Sequence, residues 1–133
     1  MDGPFRKMLL AKLHGAVVTE ANLQYEGSVT IPSDLLEISG IFPNEAVSVW
    51  NLTRGTRFET YALEGRRESR EFHVNGAAAH LAGVGDAIII AAFCFLPPDQ
   101  ARIHNPVAVF LERDNSVKVI RRERPQTVAA NAG

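Results

Sequence analysis

The stretch that decides the fold reads DAIIIAAFCFL and runs from Asp86 to Leu96. It is almost entirely apolar and contains three consecutive isoleucines. An apolar run of this length is typical of a strand that is buried on both faces of a sheet. Pro97-Pro98 follows directly and ends the run. We therefore predict a buried strand over residues 86–96.

Shorter strands are predicted on both sides of this stretch. Their residues are Met8–Thr19, Ser28–Ile31, Ala46–Leu52, Arg57–Leu63, Glu71–Val74, Val107–Leu111 and Val117–Ile120. Short helical segments are predicted at Asp34–Ser39, Gly76–Ala82 and Asp99–Ile103. So many short strands in one chain need their edges covered, which favours a closed barrel. The fold class is therefore mainly β with short helices.

Composition restricts the class of protein further. The 133 residues fit a single domain, 1–133, and the small, polar residues 125–133 are expected to form a flexible tail. A net charge of −1 argues against nucleic acid as a partner. No segment is apolar enough for a signal peptide or a membrane span, which predicts a cytoplasmic protein without membrane contact. The single cysteine and four histidines lack metal-ligand spacing, so no metal is expected.

The dipeptide Gly27-Ser28 has two interpretations. Gly-Ser is a common turn dipeptide, and a backbone bend is the simpler explanation. Alternatively, the glycine is held in a strained conformation that exposes its carbonyl to the serine hydroxyl. Attack by Ser28 Oγ would then move the acyl group from nitrogen to oxygen. Spacing alone does not choose between the two.

The segment Arg57 to Tyr61 contains candidate site residues. On a strand, Arg57, Glu59 and Tyr61 share one face, and Thr60 lies on the other. A half-buried strand with a solvated arginine is the simpler interpretation. In the functional alternative, Arg57 grips a carboxylate with its fork of donors and Tyr61 donates a proton. Thr60 would then have to act from a bent or edge position.

Two further segments are ambiguous in the same way. Asn75-Gly76 can be a tight turn, and the alanines after it can be close packing. Alternatively, the backbone N–H groups of Gly76, Ala77 and Ala78 are open to an anion. Lys12, which shares a strand face with His14, is either a surface charge or a ligand-binding cation.

Taken in order, these segments closely resemble the aspartate 1-decarboxylase family. The likeness covers about Met8 to Glu112 without large gaps. The matching pieces are Met8-Leu9, Lys12-Leu13-His14, Leu23, Tyr25-Glu26-Gly27-Ser28, Gly40-Ile41, Asn44-Glu45, Val49-Trp50-Asn51, Gly55, Arg57-Phe58, Thr60-Tyr61, Val74 to His80, Gly85-Asp86 and Ile89-Ile90. Each piece is weak alone, but the ordered series is specific.

The resemblance implies a double-psi β-barrel that assembles as a homotetramer with active sites between subunits. It implies self-cleavage into a β chain, residues 1–27, and an α chain, residues 28–133, whose first residue becomes a pyruvoyl cofactor derived from Ser28. Neither a metal nor pyridoxal phosphate is implied. The reaction is decarboxylation of L-aspartate to β-alanine and CO₂, a step of pantothenate biosynthesis. The ketone would form an imine with the substrate amine and accept the electrons that CO₂ leaves behind.

Residue roles follow from the resemblance by position. Ser28 and Tyr61 are the catalytic residues, and Gly27, Ser28 and Thr60 serve cleavage. The expected substrate-binding residues are Lys12, Arg57, Thr60, Asn75, Gly76, Ala77 and Ala78.

Three alternatives remain at this stage. The chain is an uncleaved, non-catalytic relative, a β-barrel binding module, or an enzyme that performs the same chemistry on another acidic amino acid such as glutamate. A helper protein for maturation is also left open as a partner.

Overall fold

Residues 3–122 are described by the structure, a computed structural model. Nine strands run in the order β1 Arg6–Val17, β2 Glu20–Asn22, β3 Ser28–Pro32, β4 Ala46–Asn51, β5 Arg57–Gly65, β6 His73–Asn75, β7 Ala87–Leu96, β8 Val107–Leu111 and β9 Val117–Arg122. The helices are α1 Ser33–Ser39, a 3₁₀ helix Gly76–His80, and α2 Pro98–Ile103. The flexible tail predicted over residues 125–133 lies outside the described residues.

The apolar stretch forms β7, which lies between β1 and β4. The prediction of burial on both faces is confirmed for Ile88 to Ala92. It is wrong for the last four residues, where the ring of Phe95 is 65% exposed. Phe95 lies on the face of β7 that points away from the core, and the described residues of one chain leave this end of that face largely uncovered.

All nine strands join one sheet in the order β2-β6-β3-β5-β4-β7-β1-β8-β9. Three of its pairs are parallel: β1 with β8, β2 with β6, and β3 with β5. Val29 and Val74, from near one end of this order, share a core with Val109, from near the other. The sheet therefore curves around a single core. The predicted mainly β class is confirmed, and the arrangement is consistent with a double-psi β-barrel.

Helix α1 closes part of this curved sheet. It begins after Pro32, carries Asp34 in its first turn, and ends at Gly40 in the left-handed conformation, φ 80°. A proline before the helix, an acidic residue in its first turn and a glycine after its last residue are common start and stop signals, and the prediction of a helix at Asp34–Ser39 is confirmed. Leu35 and Leu36 are buried, and the helix packs against β1, β3, β5 and β8.

The strands predicted at Val107–Leu111 and Val117–Ile120 pair as the antiparallel hairpin β8–β9, and the turn between them makes contacts that were not predicted. Asn115 is buried, with its backbone at φ 67°. Its side chain accepts a hydrogen bond from the Val17 N–H at 2.7 Å and donates to the Val17 carbonyl at 3.0 Å. It also donates to the Arg70 carbonyl at 2.8 Å. The turn thus joins the end of β1 to the loop before β6.

Candidate active site

A cavity of about 380 Å³ opens beside the first residue of β3. Its lining residues are Tyr25, Glu26, Ser28, Thr30, Tyr61, Leu63, His73 and Asn75. A larger open cleft of about 560 Å³, beside Arg6, Lys7 and Arg102, contains none of the predicted site residues. We therefore take the cavity at Ser28, called the serine cavity below, as the candidate site.

Strand register explains why these side chains meet. Strands β3 and β6 are antiparallel, with Ser28 opposite Asn75 and Thr30 opposite His73. On the other side of β3, the parallel strand β5 places Ala62 beside Val29. Since side chains alternate along a strand, Tyr61 faces the serine cavity while Ala62 faces the core.

Ser28 is only 1% exposed. Its Oγ accepts a hydrogen bond from Asn75 Nδ2 at 3.0 Å and donates a long one, 3.4 Å, to the Glu26 carbonyl. Asn75 Nδ2 also donates to Thr30 Oγ1 at 3.3 Å. Asn75, one of the predicted substrate-binding residues, is thus a direct neighbour of the Ser28 hydroxyl.

Gly76 allows the backbone just before Ser28 to pack closely against the end of β6. Its backbone has φ 73°, a conformation that favours glycine. A Cβ at this position would lie 2.6 Å from Gly27 N, 2.7 Å from Gly27 Cα and 2.7 Å from the Tyr25 carbonyl oxygen. Only a residue without a side chain therefore permits the backbone before Ser28 to pack here.

The next two predicted residues differ from Gly76. Ala77 is exposed, and Ala78 is half-buried against the core. Neither lines the serine cavity. Their predicted role in substrate binding stays a prediction.

Thr60 is placed away from the serine cavity within one copy. It is half-buried, pairs with Val47 on β4, and lies on the same face of β5 as Phe58 and Ala62, which contact the core. Tyr61 and Leu63 are the β5 residues that line the cavity. Thr60 and Tyr61 therefore lie on opposite faces of β5, as the strand pattern predicted. The roles of Thr60 in cleavage and substrate binding stay predictions.

Lys12 and Arg57 also lie outside the serine cavity. Both project from the face of the sheet opposite the core. Lys12 is three strands away from β5, roughly 14 Å at ordinary strand spacing. Arg57 is four residues before Tyr61, or about 13 Å along an extended strand. One copy of the chain does not bring these cations to Ser28.

The surroundings of Lys12 are partly apolar. Its Nζ lies 5.5 Å from the centre of the Phe110 ring, and the His14 ring lies 5.1 Å from that same centre. Burial, and then the Lys12 ammonium, lower the pKa of His14 below its usual value. Buried His14 Nδ1 has no hydrogen-bond partner within residues 3–122.

Five lining residues were not among the predicted site residues: Tyr25, Glu26, Thr30, Leu63 and His73. Thr30 and His73 are the polar ones on β3 and β6. His73 Nε2 lies 3.0 Å from Glu71 Oε1, and its Nδ1 lies 3.6 Å from Glu20 Oε2. The signal that would have found them is the two-residue period of their strands, which aligns Thr30 with Ser28 and His73 with Asn75.

Two kinds of feature are absent from the described part of the chain, residues 3–122. No group of three or more His, Cys, Asp or Glu side chains is placed to hold a metal ion. None of the helices is both long and apolar enough to cross a membrane.

Comparison with known proteins identifies the family. The aspartate decarboxylase family profile matches residues 5–118. The chain is 52% identical over 120 residues to aspartate 1-decarboxylase of Legionella pneumophila strain Paris, covering 90% of each protein. It is 56% identical over 111 residues to that of Hyphomonas neptunium, covering 84% of this chain and 94% of the relative. A relative from Rhodopirellula baltica is 49% identical over 117 residues, covering 88% and 75%.

The family profile and the three relatives named here are those of decarboxylases, so the chain is an enzyme of the carboxy-lyase class. More specifically, the chain belongs to the aspartate decarboxylase family. The resemblance inferred from the ordered motifs is thereby confirmed.

Proposed function

We propose that this chain matures by cutting itself between Gly27 and Ser28 and then decarboxylates L-aspartate to β-alanine and CO₂, a step towards pantothenate. Its relatives carry the name aspartate 1-decarboxylase. The observation that carries the proposal is that buried Ser28 and half-buried Tyr61 line one cavity, while the Gly27 backbone packs against Gly76.

Cleavage would use the Ser28 hydroxyl once, on the chain itself. Oγ attacks the Gly27 carbonyl carbon, the C–N bond breaks, and an ester joins the two residues. Loss of the Ser28 α-proton then expels the Gly27 carboxylate, and hydrolysis of the resulting dehydroalanine releases ammonia. The hydrogen bond from Asn75 Nδ2 to Oγ supports this role, because it holds the oxygen in one position.

The residues at this position fit a pyruvoyl group. The group would remain on the main chain at position 28, and the cavity of about 380 Å³ beside it is within the usual range for small ligands. When present, it supplies a carbonyl electron sink that none of the standard side chains offers.

Tyr61 is proposed as the proton donor. Loss of CO₂ leaves an electron pair on the substrate α-carbon, and a proton must be placed there. Tyr61 lines the serine cavity, and the phenol is the donor that a tyrosine offers. Thr60 is proposed to polarise the Gly27 carbonyl during cleavage, a role that would need a contact absent from one copy.

Charge supports completion of the site by a second copy. L-Aspartate carries two carboxylates, yet the serine cavity has Glu26 in its lining and neither lysine nor arginine within the described residues. Lys12 and Arg57 project from the outer face of the sheet instead. We propose that these cations enter the serine cavity of a neighbouring copy in a homotetramer, where Arg57 grips a carboxylate with its fork of donors. The cytoplasmic location and a maturation helper stay predictions.

The test follows two readouts on the same purified protein. Intact mass is expected to show fragments of residues 1–27 and 28–133, and β-alanine is expected to form from L-aspartate. The Ser28→Ala variant should stay at full precursor mass and form no β-alanine.

The alternatives give other results in the same experiment. A binding module or an uncleaved relative would stay at precursor mass after prolonged incubation. An enzyme for glutamate would cleave itself but prefer L-glutamate when the two substrates compete.

A further inference from the structure

Arg57 stacks on the single tryptophan of the chain. Trp50 on β4 is the direct cross-strand partner of Arg57 on β5. The guanidinium carbon lies 5.0 Å from the centre of the indole ring, within the range of a cation–π interaction. The indole is half-buried, whereas Arg57 is exposed. The arginine is therefore held by a ring face rather than left free in solvent.

The stack leaves the donors of Arg57 unused. Within residues 3–122, no carboxylate lies within ion-pair distance of Arg57, and Glu59, on the same face of β5, forms no ion pair with it. A carboxylate partner would occupy the N–H fork and neutralise the charge. An aromatic face restrains the guanidinium plane but takes up none of its five N–H groups.

The indole is itself supported from the far side. The Phe93 ring on β7 lies 6.4 Å from Trp50, tilted by 55°, which is a favourable aromatic geometry. Lys7 Nζ lies 4.9 Å above the centre of the Phe93 ring. Trp50 thus rests between Phe93 and Arg57, and its orientation is restrained from two sides.

We propose that Trp50 is a positioning residue that holds the Arg57 guanidinium ready to bind a substrate carboxylate. The inference deepens the proposed function and rests on its assignment of Arg57 to the substrate. Trp50 lowers the entropy that Arg57 loses on binding, without competing for its hydrogen bonds. Its effect should therefore appear in substrate affinity and leave the chemical step unchanged.

The first experiment measures binding without chemistry. Succinate has two carboxylates at the spacing of those in aspartate but lacks the amine, so the self-processed wild-type protein cannot turn it over. Calorimetric titration of Trp50→Leu should show affinity weakened about five- to tenfold, which corresponds to a cation–π contact of about 1–1.4 kcal/mol. Trp50→Phe, which keeps a ring face, should restore most of it. Phe42→Leu is the matched control, since it removes an exposed ring that stacks on no cation.

The second experiment uses Trp50 as its own reporter. Because the chain has one tryptophan, its emission reports on this stack alone. Saturating succinate should change the emission of the wild-type protein, and Arg57→Ala should abolish that change. With L-aspartate, Trp50→Leu should raise KM about five- to tenfold with kcat unchanged.

The outcomes separate the two proposals. If Arg57→Ala binds succinate as tightly as wild type, the assignment of Arg57 to the substrate fails. If Arg57→Ala loses binding but Trp50→Leu keeps wild-type affinity, only the positioning role is overturned. If Trp50→Leu does not fold, the emission of wild-type Trp50 provides the test. Emission that stays constant while calorimetry shows that succinate saturates the wild-type protein would overturn the positioning role.

Discussion

The polar cluster around Ser28 and the polar cluster around Asp86 are both buried, but they are bonded differently. Asp86 accepts hydrogen bonds from Asn51 Nδ2 at 2.9 Å and the Gly83 N–H at 2.9 Å, and its carboxylate lies 2.8 Å from Arg54 Nε. Ser28 has one bond at 3.0 Å and one at 3.4 Å. Asp86 has one charged partner, Arg54, in addition to two neutral amides, whereas both partners of Ser28 are neutral amide groups.

The difference separates a structural cluster from a reactive one. The Asp86 carboxylate ties the turn after β4 to the turn before β7, and Asn51 continues the network by donating to the Leu81 carbonyl at 3.0 Å. All three contacts fall on Oδ2, which is thereby fixed between the two turns. Asn75 Nδ2 orients the Ser28 oxygen, whereas the bond that the hydroxyl donates to the Glu26 carbonyl is long, so the proton is weakly held and Oγ can attack the neighbouring carbonyl. The predictions below test this contrast in order of expected effect.

Tyr61→Phe should have the largest effect. The variant keeps the ring but loses the hydroxyl that we assign to proton donation. We expect self-cleavage to proceed and the rate of β-alanine formation to fall roughly 10²- to 10⁴-fold. Intact mass and a β-alanine assay measure the two effects separately. Full retained activity would refute the role of the hydroxyl.

Gly76→Ala should follow, because the added Cβ meets backbone at both Gly27 and Tyr25. We expect a loss of about 2–4 kcal/mol in unfolding free energy from strain and overpacking, together with slower self-cleavage. The matched control is Gly85→Ala. Gly85 has φ 92° but open space around its Cβ position, so this variant carries the backbone strain alone. Equal losses in the two variants would contradict the proposed contact with Gly27.

Asp86→Ala should destabilise the fold without preventing the chemistry. The change removes the acceptor for Asn51 and Gly83, and we expect a loss of about 2–3 kcal/mol in urea unfolding. Arg54→Ala should cost less than about 1 kcal/mol, because the Arg54 side chain is half exposed. Protein that remains folded should still cleave at Gly27-Ser28. If Ser28→Ala lowered the free energy of unfolding as much as Asp86→Ala does, the contrast between the two clusters would be contradicted.

Low pH should destabilise the fold through the Asp86 carboxylate, and this is the smallest of the expected effects. Burial alone would raise the pKa of Asp86, but hydrogen bonds from Asn51 and Gly83 and the Arg54 charge lower it below the ordinary value. A depressed pKa stabilises the fold above the unfolded pKa, about 3.9, and this stability is lost as the pH falls through the lower, folded pKa. Melting temperatures below about pH 4 should therefore fall more steeply for wild type than for Asp86→Asn. Parallel curves would exclude Asp86 as the cause.

Local features of the fold were predictable from the sequence. The apolar run over residues 86–96 predicted β7. Helix α1 and strands β8 and β9 were predicted at Asp34–Ser39, Val107–Leu111 and Val117–Ile120. Strand β2 was missed because its three residues pair only with the equally short β6, which leaves no period to detect. Burial at the end of β7 was overestimated because composition does not reveal which face of a sheet the core covers.

The sequence predicted which residues belong to the site but not which of them lie together in one copy of the chain. The ordered motifs identified Gly27, Ser28, Tyr61, Asn75 and Gly76, which one copy brings together. The same motifs named Lys12, Arg57 and Thr60, which it does not bring to the serine cavity. A motif records that residues serve one site but not which copy of the chain supplies them.

By itself, the sequence determined the strand periods, the turns, the family and the candidate residues, because each depends on neighbours along the chain. Only the tertiary structure decided that Gly76 lies against Gly27, that Asn75 bonds Ser28 across 47 positions, and that the outer face of the sheet carries the Trp50–Arg57 stack. Those contacts depend on strand register and sheet curvature, which are set by packing around one core. The Gly27-Ser28 bond acquires its chemical setting from that packing.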